Sequence, residues 1–238
     1  MFDALTSQLR DAPALSVEKA IKTLNLQAEI SARFGYGLTV RLAEQEYIFH
    51  LPDVATNSRQ AAMLRNEAFP YEDILLRLRR RVHPDVVVID TCCDFGARAL
   101  FYGKGIRAKR VYALGTEQES LSLAGKNALL NDLEDVVRTC RLNVTEEKVK
   151  GATTNLDRFC KDQKINQLDL LSLSTRSLKA VIDGGMEETL AKCGPAVIFW
   201  GQGSSKEERE ALKQTLAAHG YAEPEVWTAE VLFWVSRI

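Results

Sequence analysis

Three short segments of this sequence hold residue types that bind ligands, and each follows a run typical of a buried strand. The first, Asp90–Gly96 (DTCCDFG), follows four consecutive β-branched residues. An acid that closes a buried strand before a tight turn with glycine is the usual beginning of a nucleotide or S-adenosylmethionine (SAM) pocket. We therefore predict that Asp90, Cys92 and Gly96 contact a cofactor. In the structural alternative, this is a plain strand-to-helix turn with Asp94 as a partner of the helix dipole.

The second segment is Leu114–Glu117 (LGTE), at the end of the next predicted strand. A carboxylate that binds the ribose hydroxyls of a nucleotide normally ends this strand. Here the strand ends at Gly115, which has no side chain, and Glu117 lies two residues further on. We predict both as cofactor contacts, with Glu117 either reaching back to the ligand or lying in the first turn of the next helix.

The third segment is Ser172–Ser177 (SLSTRS), after a leucine-rich strand. Small hydroxyl groups at a strand end can form hydrogen bonds with a ligand, so we predict Ser172 and Ser174 as further cofactor contacts. The same hydroxyls can cap the following helix, because serine oxygens accept hydrogen bonds from the first free backbone N–H groups of a helix. Of the two interpretations, the cap is favoured.

The other reactive residue types form no pattern of a site. The three histidines are far apart, and the five cysteines include no CxxC spacing, so we predict no metal site. The pair Cys92-Cys93 lies beside Asp90 and Asp94, and thiolate activation needs positive charge, so we predict inert packing. The arginines within 77–81 are interpreted as a solvated helix face, and four late aromatic residues as core. These four are Trp200, Trp227, Phe233 and Trp234.

The elements that would position these segments alternate regularly after residue 85. Alternating strands and helices predict right-handed βαβ units, a mostly parallel sheet flanked by helices and an α/β, Rossmann-like fold. One helix is predicted over Ser177–Lys192. The predicted strands are Val86–Ile89, Arg110–Leu114, Val136–Leu142, Leu168–Leu173, Ala196–Trp200 and the closing strand Ala229–Arg237.

The chain before the sheet is of a different kind. Leu38–Leu42 and Glu46–Leu51 alternate apolar and polar residues around a Glu-Gln turn, which predicts a small hairpin. Tyr71–Val82 has the apolar spacing of an amphipathic helix. We predict two parts, an N-terminal helical extension over residues 1–36 and a single α/β domain over residues 37–238.

Composition excludes several classes of protein. The chain has 238 residues, of which 46% are apolar and 26% charged, and its formal net charge is −1. This neutral balance provides no basic footprint for nucleic acid, and no apolar run reaches the length of a membrane span. The odd number of cysteines fits no disulfide framework, so we expect reduced thiols and a cytoplasmic protein.

The order of many ordinary features resembles the FkbM family of SAM-dependent methyltransferases, from about Gly37 to Arg237. The resemblance implies a class I methyltransferase fold, SAM as cofactor and methylation of oxygen on sugars and secondary metabolites. The features that carry it are a short N-terminal hairpin, Tyr71-Glu72, the segment His83–Asp90, the segment Lys126–Asn131, the segment Thr154–Asp157, the strand Leu168–Leu171 and Gly220-Tyr221.

The departures from the family pattern fall on the three cofactor segments. The family's first motif resembles Asp-x-Gly-Ala-Asn-x-Gly. This chain keeps Asp90 and Gly96 of that motif but has Cys92, Cys93 and Asp94 in place of the glycine, alanine and asparagine between them. Phe-Glu-Pro is replaced by Leu-Gly-Thr, which removes the expected ribose carboxylate, and Lys-Ile-Asp-Val-Glu-Gly by Ser-Leu-Ser-Thr-Arg-Ser. Several lost polar contacts together take a micromolar ligand out of useful range, so we expect no ordinary SAM-dependent catalysis.

Three hypotheses follow. The first is a degenerate methyltransferase-fold protein, a non-catalytic pseudoenzyme, that binds a protein partner or forms a homo-oligomer. The alternative is an active SAM-dependent O-methyltransferase with a rebuilt site, which acts on a sugar or small-metabolite hydroxyl with Asp94 as the candidate catalytic base. A third is a small-molecule binding module whose cleft, lined with Cys92, Cys93 and Leu114, takes a more apolar ligand. On chemistry, the first is placed ahead of the second.

Overall fold

A computed structural model describes residues 37–54, 56–141, 156–183 and 185–236. The helical extension predicted for residues 1–36 lies outside this part of the chain, as do residues 154 and 155 of the segment Thr154–Asp157. Backbone contacts divide the chain into two compact units, with the boundary along the sequence between Pro70 and Tyr71. The two units are described separately, and the predicted domain boundary after residue 36 stays a prediction.

The first unit contains the predicted hairpin. Strands β1 (Leu38–Leu42) and β2 (Gln45–Phe49) pair antiparallel, with Leu38 opposite Phe49. The predicted Glu-Gln turn is wrong by one residue, because Ala43 and Glu44 form the turn with φ values of 54° and 65°. Two consecutive left-handed residues are what a tight hairpin needs, since they match the twist of the strands.

The hairpin is followed by helix α1 (Ser58–Asn66). The side chain of Asn57 begins the helix by accepting hydrogen bonds from the N–H groups of Arg59 and Gln60. The core of the unit is aromatic, since the Tyr47 and Phe69 rings meet edge to face with centroids 4.9 Å apart. Burial of these rings stabilises the hairpin, which is marginal when isolated.

The second unit is built on a seven-stranded sheet, so the predicted mostly parallel α/β architecture is confirmed. The strand order is β5-β4-β3-β6-β7-β9-β8, in which β9 pairs antiparallel with both of its neighbours and the other pairs are parallel. The order reverses direction between β3 and β6, which makes that junction the switch point of the sheet. The strands are β3 (Val87–Asp90), β4 (Arg110–Gly115), β5 (Val137–Arg141), β6 (Leu170–Ser174), β7 (Ala196–Trp200), β8 (Glu225–Val226) and β9 (Val231–Trp234).

Helices cover the sheet, and none in the described part of the chain is long and apolar enough to cross a membrane. The central strands beneath them are buried on both faces, as in β6, where every residue is buried. The helices are α2 (Glu72–Arg79), α3 (Ala97–Leu100), which continues into a π-helical turn (Phe101–Gly105), α4 (Gln118–Leu129), α5 (Leu156–Asp162), α6 (Thr175–Ile182), α7 (Glu187–Cys193) and α8 (Lys206–Ala218).

The single helix predicted over Ser177–Lys192 is wrong, because the chain forms α6 and α7 with a break between them. Asp157 of α5 begins the second helix, since its carboxylate accepts hydrogen bonds from the N–H groups of Glu188 (3.0 Å) and Thr189 (2.8 Å). The Thr189 hydroxyl donates a third, at 2.6 Å. A cap supplied by another helix leaves no local signal in the sequence of α7.

The arginines within 77–81 are exposed, as expected for a solvated helix face, but Arg77 and Arg81 also contact the end of the sheet. The Arg77 guanidinium lies 4.7 Å from the centre of the Trp227 ring and 3.3 Å from the Glu225 carboxylate. Arg81 forms an ion pair with the same carboxylate, which also accepts a hydrogen bond from Trp227 Nε1 at 3.1 Å. These contacts attach α2 to the β8–β9 edge of the sheet.

Candidate functional site

The carboxyl ends of β3 and β6 bring two of the predicted site residues together. Asp90 ends β3 and lies opposite Ser172 in the parallel register. The Ser172 hydroxyl donates a hydrogen bond of 2.8 Å to Asp90 Oδ1, and both side chains are fully buried. This pair lies at the switch point of the sheet, where α/β proteins of this topology bind their ligands.

Ser172 is the centre of a buried polar network. Its Oγ accepts hydrogen bonds from the Tyr102 hydroxyl at 2.9 Å and from Trp200 Nε1 at 3.0 Å, while it donates to Asp90. A serine hydroxyl has one proton and two lone pairs, and all three are used here. The Ser172 side chain therefore has no hydrogen-bonding capacity left for a ligand unless this network opens.

Arg98 supplies the positive charge of the network. Its Nη2 lies 3.1 Å from Asp90 Oδ1 and donates to the Cys92 carbonyl at 3.0 Å. The guanidinium carbon is 5.0 Å from the centre of the Trp200 ring, within range of a cation–π contact. Only 14% of the Arg98 side chain is exposed, so the charge of Asp90 is balanced within the protein.

Burial controls the ionisation of this cluster. It raises the pKa of Asp90 above its ordinary value, while Arg98 and the hydrogen bond from Ser172 act in the opposite direction. Burial also raises the pKa of the Cys93 thiol and of the Tyr102 hydroxyl. A raised thiol pKa leaves Cys93 protonated at neutral pH, which agrees with its predicted inert packing. Across the described residues, no three His, Cys, Asp or Glu side chains form a metal-binding group.

The turn after β3 is shaped by two left-handed residues. Asp94, at φ 43°, and Gly96, at φ 88°, both have positive φ, and the Gly96 N–H donates to the Cys93 carbonyl at 2.7 Å. Asp is one of the few residues other than glycine that tolerate this conformation. The Cys93 N–H donates to the Leu114 carbonyl at 2.9 Å and attaches the turn to the end of β4. The geometry of the turn thus explains an acid at position 94 without requiring catalysis.

Gly96 also permits a close approach of the turn to α4. A Cβ at this position would lie 3.0 Å from Ala124 Cβ and 3.1 Å from Ala124 Cα. We expect Gly96→Ala to lower the free energy of unfolding by about 2–4 kcal/mol, from the left-handed backbone and the clash together. Gly203 provides a matched control, because its φ is 76° and nothing lies within 4 Å of its added Cβ.

Gly203→Ala should therefore cost only the backbone component, about 1 kcal/mol. Urea unfolding of both variants measures the difference. Equal losses in the two would show that the contact with Ala124 does not matter.

The other predicted contact after β3, Cys92, is half-buried, and its carbonyl accepts the hydrogen bond from Arg98. At the end of β4, a Cβ on Gly115 would meet Cys93 Cβ and Leu121 Cδ2, each at 3.2 Å. An acidic side chain would not fit there without a shift of its neighbours. Glu117 is the exposed N-cap residue of α4, and its carboxylate accepts a 3.4 Å hydrogen bond from Ser120. Glu117 thus lies at the start of α4, and its contact with a cofactor stays a prediction.

Ser174 occupies the favoured capping position. It precedes α6, and its N–H donates to Ser177 Oγ at 3.2 Å and to Thr91 Oγ1 at 3.1 Å. The Thr91 hydroxyl in turn contacts Ser177 Oγ and the Ser172 carbonyl. This group of hydroxyls joins the turn after β3 to the start of α6, and Ser174 has a structural role in it.

Sequence reasoning missed three residues of the network: Arg98, Tyr102 and Trp200. One local signal was present, because Arg98 and Tyr102 are four residues apart and share a helix face. Trp200 was assigned to the core, and it is 6% exposed, but its indole N–H also donates to Ser172. The contacts among these residues depend on the order of the strands, which no short segment encodes.

Comparisons with known proteins agree on the fold and provide no closer identity. No family model matches the chain, and no curated protein matches it. Among solved structures, a proposed rRNA methylase from Clostridium thermocellum is 13% identical, with a TM-score of 0.51 over 70% of this chain and 94% of that chain. A methyltransferase from Pyrococcus furiosus is 14% identical, with a TM-score of 0.49 over 93% of this chain and 99% of that chain.

TrmK from M. capricolum, solved with S-adenosyl-homocysteine (SAH), is 16% identical, with a TM-score of 0.47 over 68% of this chain and 66% of that chain. At these identities a likeness concerns the fold alone. The strand order of the sheet and the likeness to the C. thermocellum structure support the same conclusion. The chain has the Rossmann-like fold of the class I methyltransferases.

Proposed function

We propose that this chain is a non-catalytic member of the methyltransferase fold, which does not transfer methyl groups from SAM and acts as a scaffold for a protein partner or for a second copy of itself. The observation that carries the proposal is the buried pair of Asp90 and Arg98, with Nη2 3.1 Å from Oδ1. The acid that the fold places at its ligand crevice is already bound to a cation of the same chain.

The residues present do not fit SAM at this acid. The methionine part of SAM carries a cationic ammonium and a cationic sulfonium, and an unpaired carboxylate would attract both. To contact Asp90 Oδ1, a ligand cation must displace Arg98 from a buried ion pair. Breaking such a pair costs about 3–5 kcal/mol, which corresponds to roughly 10²–10⁴ in affinity.

The residues present do not fit the ribose of SAM either. A carboxylate that holds the two ribose hydroxyls is expected at the end of β4. That position is Gly115, and the space beside its Cα is filled by Cys93 and Leu121. Loss of a hydrogen bond to a charged group costs a further 1.5–3 kcal/mol approximately. Together the two mismatches remove a micromolar cofactor from its useful range.

We further propose descent from the FkbM family, on the order of ordinary features from the hairpin to Gly220-Tyr221. In this proposal the strands and helix faces of the ancestor are retained, and the charges of the cofactor segments are replaced. The partner is a protein, and the location is the cytoplasm. A second copy of the chain is the simplest partner, and light scattering of the purified protein would detect it.

One observation favours the second candidate, an active SAM-dependent O-methyltransferase. Asp90 Oδ2 is buried and has no hydrogen-bond donor among the described residues. A buried acceptor without a partner is costly, and a ligand ammonium or hydroxyl group would satisfy it. In this candidate the acceptor is a sugar or small-metabolite hydroxyl, and Asp94 is the base.

Calorimetric titration of SAM and of SAH into the purified full-length protein separates the two candidates. For the non-catalytic protein, we expect no saturable heat up to millimolar ligand, with circular dichroism showing that the sample is folded. Micromolar binding would contradict the proposal and establish a rebuilt site. Glu117→Gln would then test whether Glu117 reaches the ribose, with Glu119→Gln as the matched control in the first turn of the same helix.

A further inference from the structure

The acid that ends β3, the turn after it and β7 all contact the Arg98 guanidinium. Asp90 contributes a carboxylate oxygen 3.1 Å from Arg98 Nη2, and Cys92 contributes a carbonyl oxygen at 3.0 Å. Trp200 contributes a ring face 5.0 Å from the guanidinium carbon. An anion, a neutral acceptor and an aromatic face are the three partners that a planar guanidinium can use at once.

The components of this site are themselves held in place. The Ser172 hydroxyl contacts Asp90 Oδ1 and accepts from Trp200 Nε1, so it connects the carboxylate to the indole. Thr91 donates to the Ser172 carbonyl at 3.0 Å, and the Thr91 N–H donates to the same oxygen at 2.9 Å. The site therefore depends on β3, β6 and β7 and not on the conformation of the Arg98 side chain alone.

We propose that Arg98 is an internal ligand, whose guanidinium permanently fills a cation site formed by Asp90, the Cys92 carbonyl and Trp200 at the switch point of the sheet. The inference rests on the proposed function, because it specifies what fills the crevice in place of a cofactor. It also makes a prediction that the proposed function does not make, namely that an empty version of this site binds a free guanidinium ion.

The charge of Asp90 explains why the site must be filled. A buried carboxylate without a counter-charge is strongly unfavourable, and the fold places this one at a position with no exposure at all. An ordinary ligand-binding protein leaves such an acid to its ligand. In this chain, folding itself brings the Arg98 guanidinium to the carboxylate, so the carboxyl ends of β3 and β6 are stable without a bound molecule.

Chemical rescue of Arg98→Ala tests the proposal. The substitution empties the site and leaves Asp90 uncompensated, so we expect the Tm to fall by about 10 °C. Methylguanidinium then replaces the lost group. At about 50 mM ligand and a Kd of about 10 mM, mass action raises the Tm of the variant by about 3 °C.

Three controls isolate the site. The unmodified protein should show no rise in Tm with methylguanidinium, and Arg98→Ala should show none with sodium chloride of equal ionic strength. Arg209→Ala removes a half-buried arginine that contacts neutral oxygens, including Ser204 Oγ at 2.7 Å and the Gly201 carbonyl at 3.2 Å. Because that cavity contains no carboxylate, methylguanidinium should raise the Tm of Arg209→Ala less than that of Arg98→Ala. No rise in Arg98→Ala, or an equal rise in Arg209→Ala, would overturn the proposal.

A second pair of variants keeps the test decisive if Arg98→Ala does not fold. Arg98→Lys retains the charge, and Arg98→Met retains a similar stem without it, so the lysine variant should have the higher Tm. Equal Tm values would overturn the proposal. Failure of the proposed function is recognised separately, by micromolar SAM binding to the unmodified protein. Arg98→Ala itself is not expected to gain micromolar SAM binding, because Gly115 still lacks a ribose carboxylate.

Discussion

Ser172→Ala should lower the free energy of unfolding by about 3–5 kcal/mol, although it removes a single oxygen atom. The Ser172 hydroxyl satisfies the Tyr102 hydroxyl, the Trp200 indole N–H and one oxygen of Asp90, at distances of 2.9, 3.0 and 2.8 Å. All of these groups are buried, so water does not replace the lost partner without a rearrangement of the cluster. Each neutral donor left without a partner costs about 1–3 kcal/mol, and the lost hydrogen bond to a charged group costs about 1.5–3 kcal/mol. Because losses within one network are not additive, the expected value lies at the low end of their sum.

Ser174→Ala is the matched control for this prediction. Ser174 lies on the same strand and is 7% exposed, but its hydroxyl caps α6 and contacts Ser177 Oγ at 3.3 Å, with no charged partner among the contacts described for it. We expect it to cost about 1 kcal/mol, the usual loss for a helix-capping serine. Urea unfolding of both variants gives the comparison. A loss in Ser172→Ala no larger than in Ser174→Ala would mean that the network relaxes freely and does not specify the site.

The strands at the centre of the sheet were predictable because burial on both faces gives them a simple pattern. Ala196–Trp200 is predicted with its observed ends, and the β-branched run before Asp90 differs from β3 by one residue. The β8 edge of the sheet was not predictable. Strand β8 has two residues, Glu225 and Val226, neither of them buried, so no apolar pattern indicates it.

The positions of the site were more predictable than its contacts. The proximity of Asp90 and Ser172 was predictable, because each ends or nears the end of a buried strand and parallel strands place their carboxyl ends together. Their role as cofactor contacts stays a prediction. Their partner Arg98 was not found. An arginine on a short helix is usually solvated, and its burial here depends on Trp200, a residue about 100 positions later. Tertiary contacts of this kind, and the cap that Asp157 provides to α7, carry no local sequence signal.

Asp90 and Arg98 should show strong coupling in a double-mutant cycle, because each is buried against the other. Arg98→Met leaves a carboxylate without its counter-charge, and we expect a loss of about 3–5 kcal/mol. Asp90→Asn leaves a largely buried guanidinium without its anion and should cost a similar amount. The double variant removes both charges, so its loss should be smaller than the sum of the single losses by at least about 2 kcal/mol. Additive losses in urea unfolding would show that the pair is not an energetic unit.

The pH dependence of stability in the same variants tests whether the unpaired charge of Asp90 causes the loss. Burial already raises the pKa of Asp90 above its ordinary value of 3.8, and removal of Arg98 raises it further, with Asp94 acting in the same direction. A carboxyl whose pKa is higher in the folded state binds a proton more readily when folded, so falling pH stabilises the fold between the two pKa values. The deficit of Arg98→Met relative to Asp90→Asn/Arg98→Met should therefore shrink as the pH falls from 8 toward the ordinary pKa of Asp90, because protonation removes the unpaired charge. A deficit that stays constant over this range would mean that Asp90 is already neutral at pH 8 in the variant, or that its charge is not what Arg98 balances.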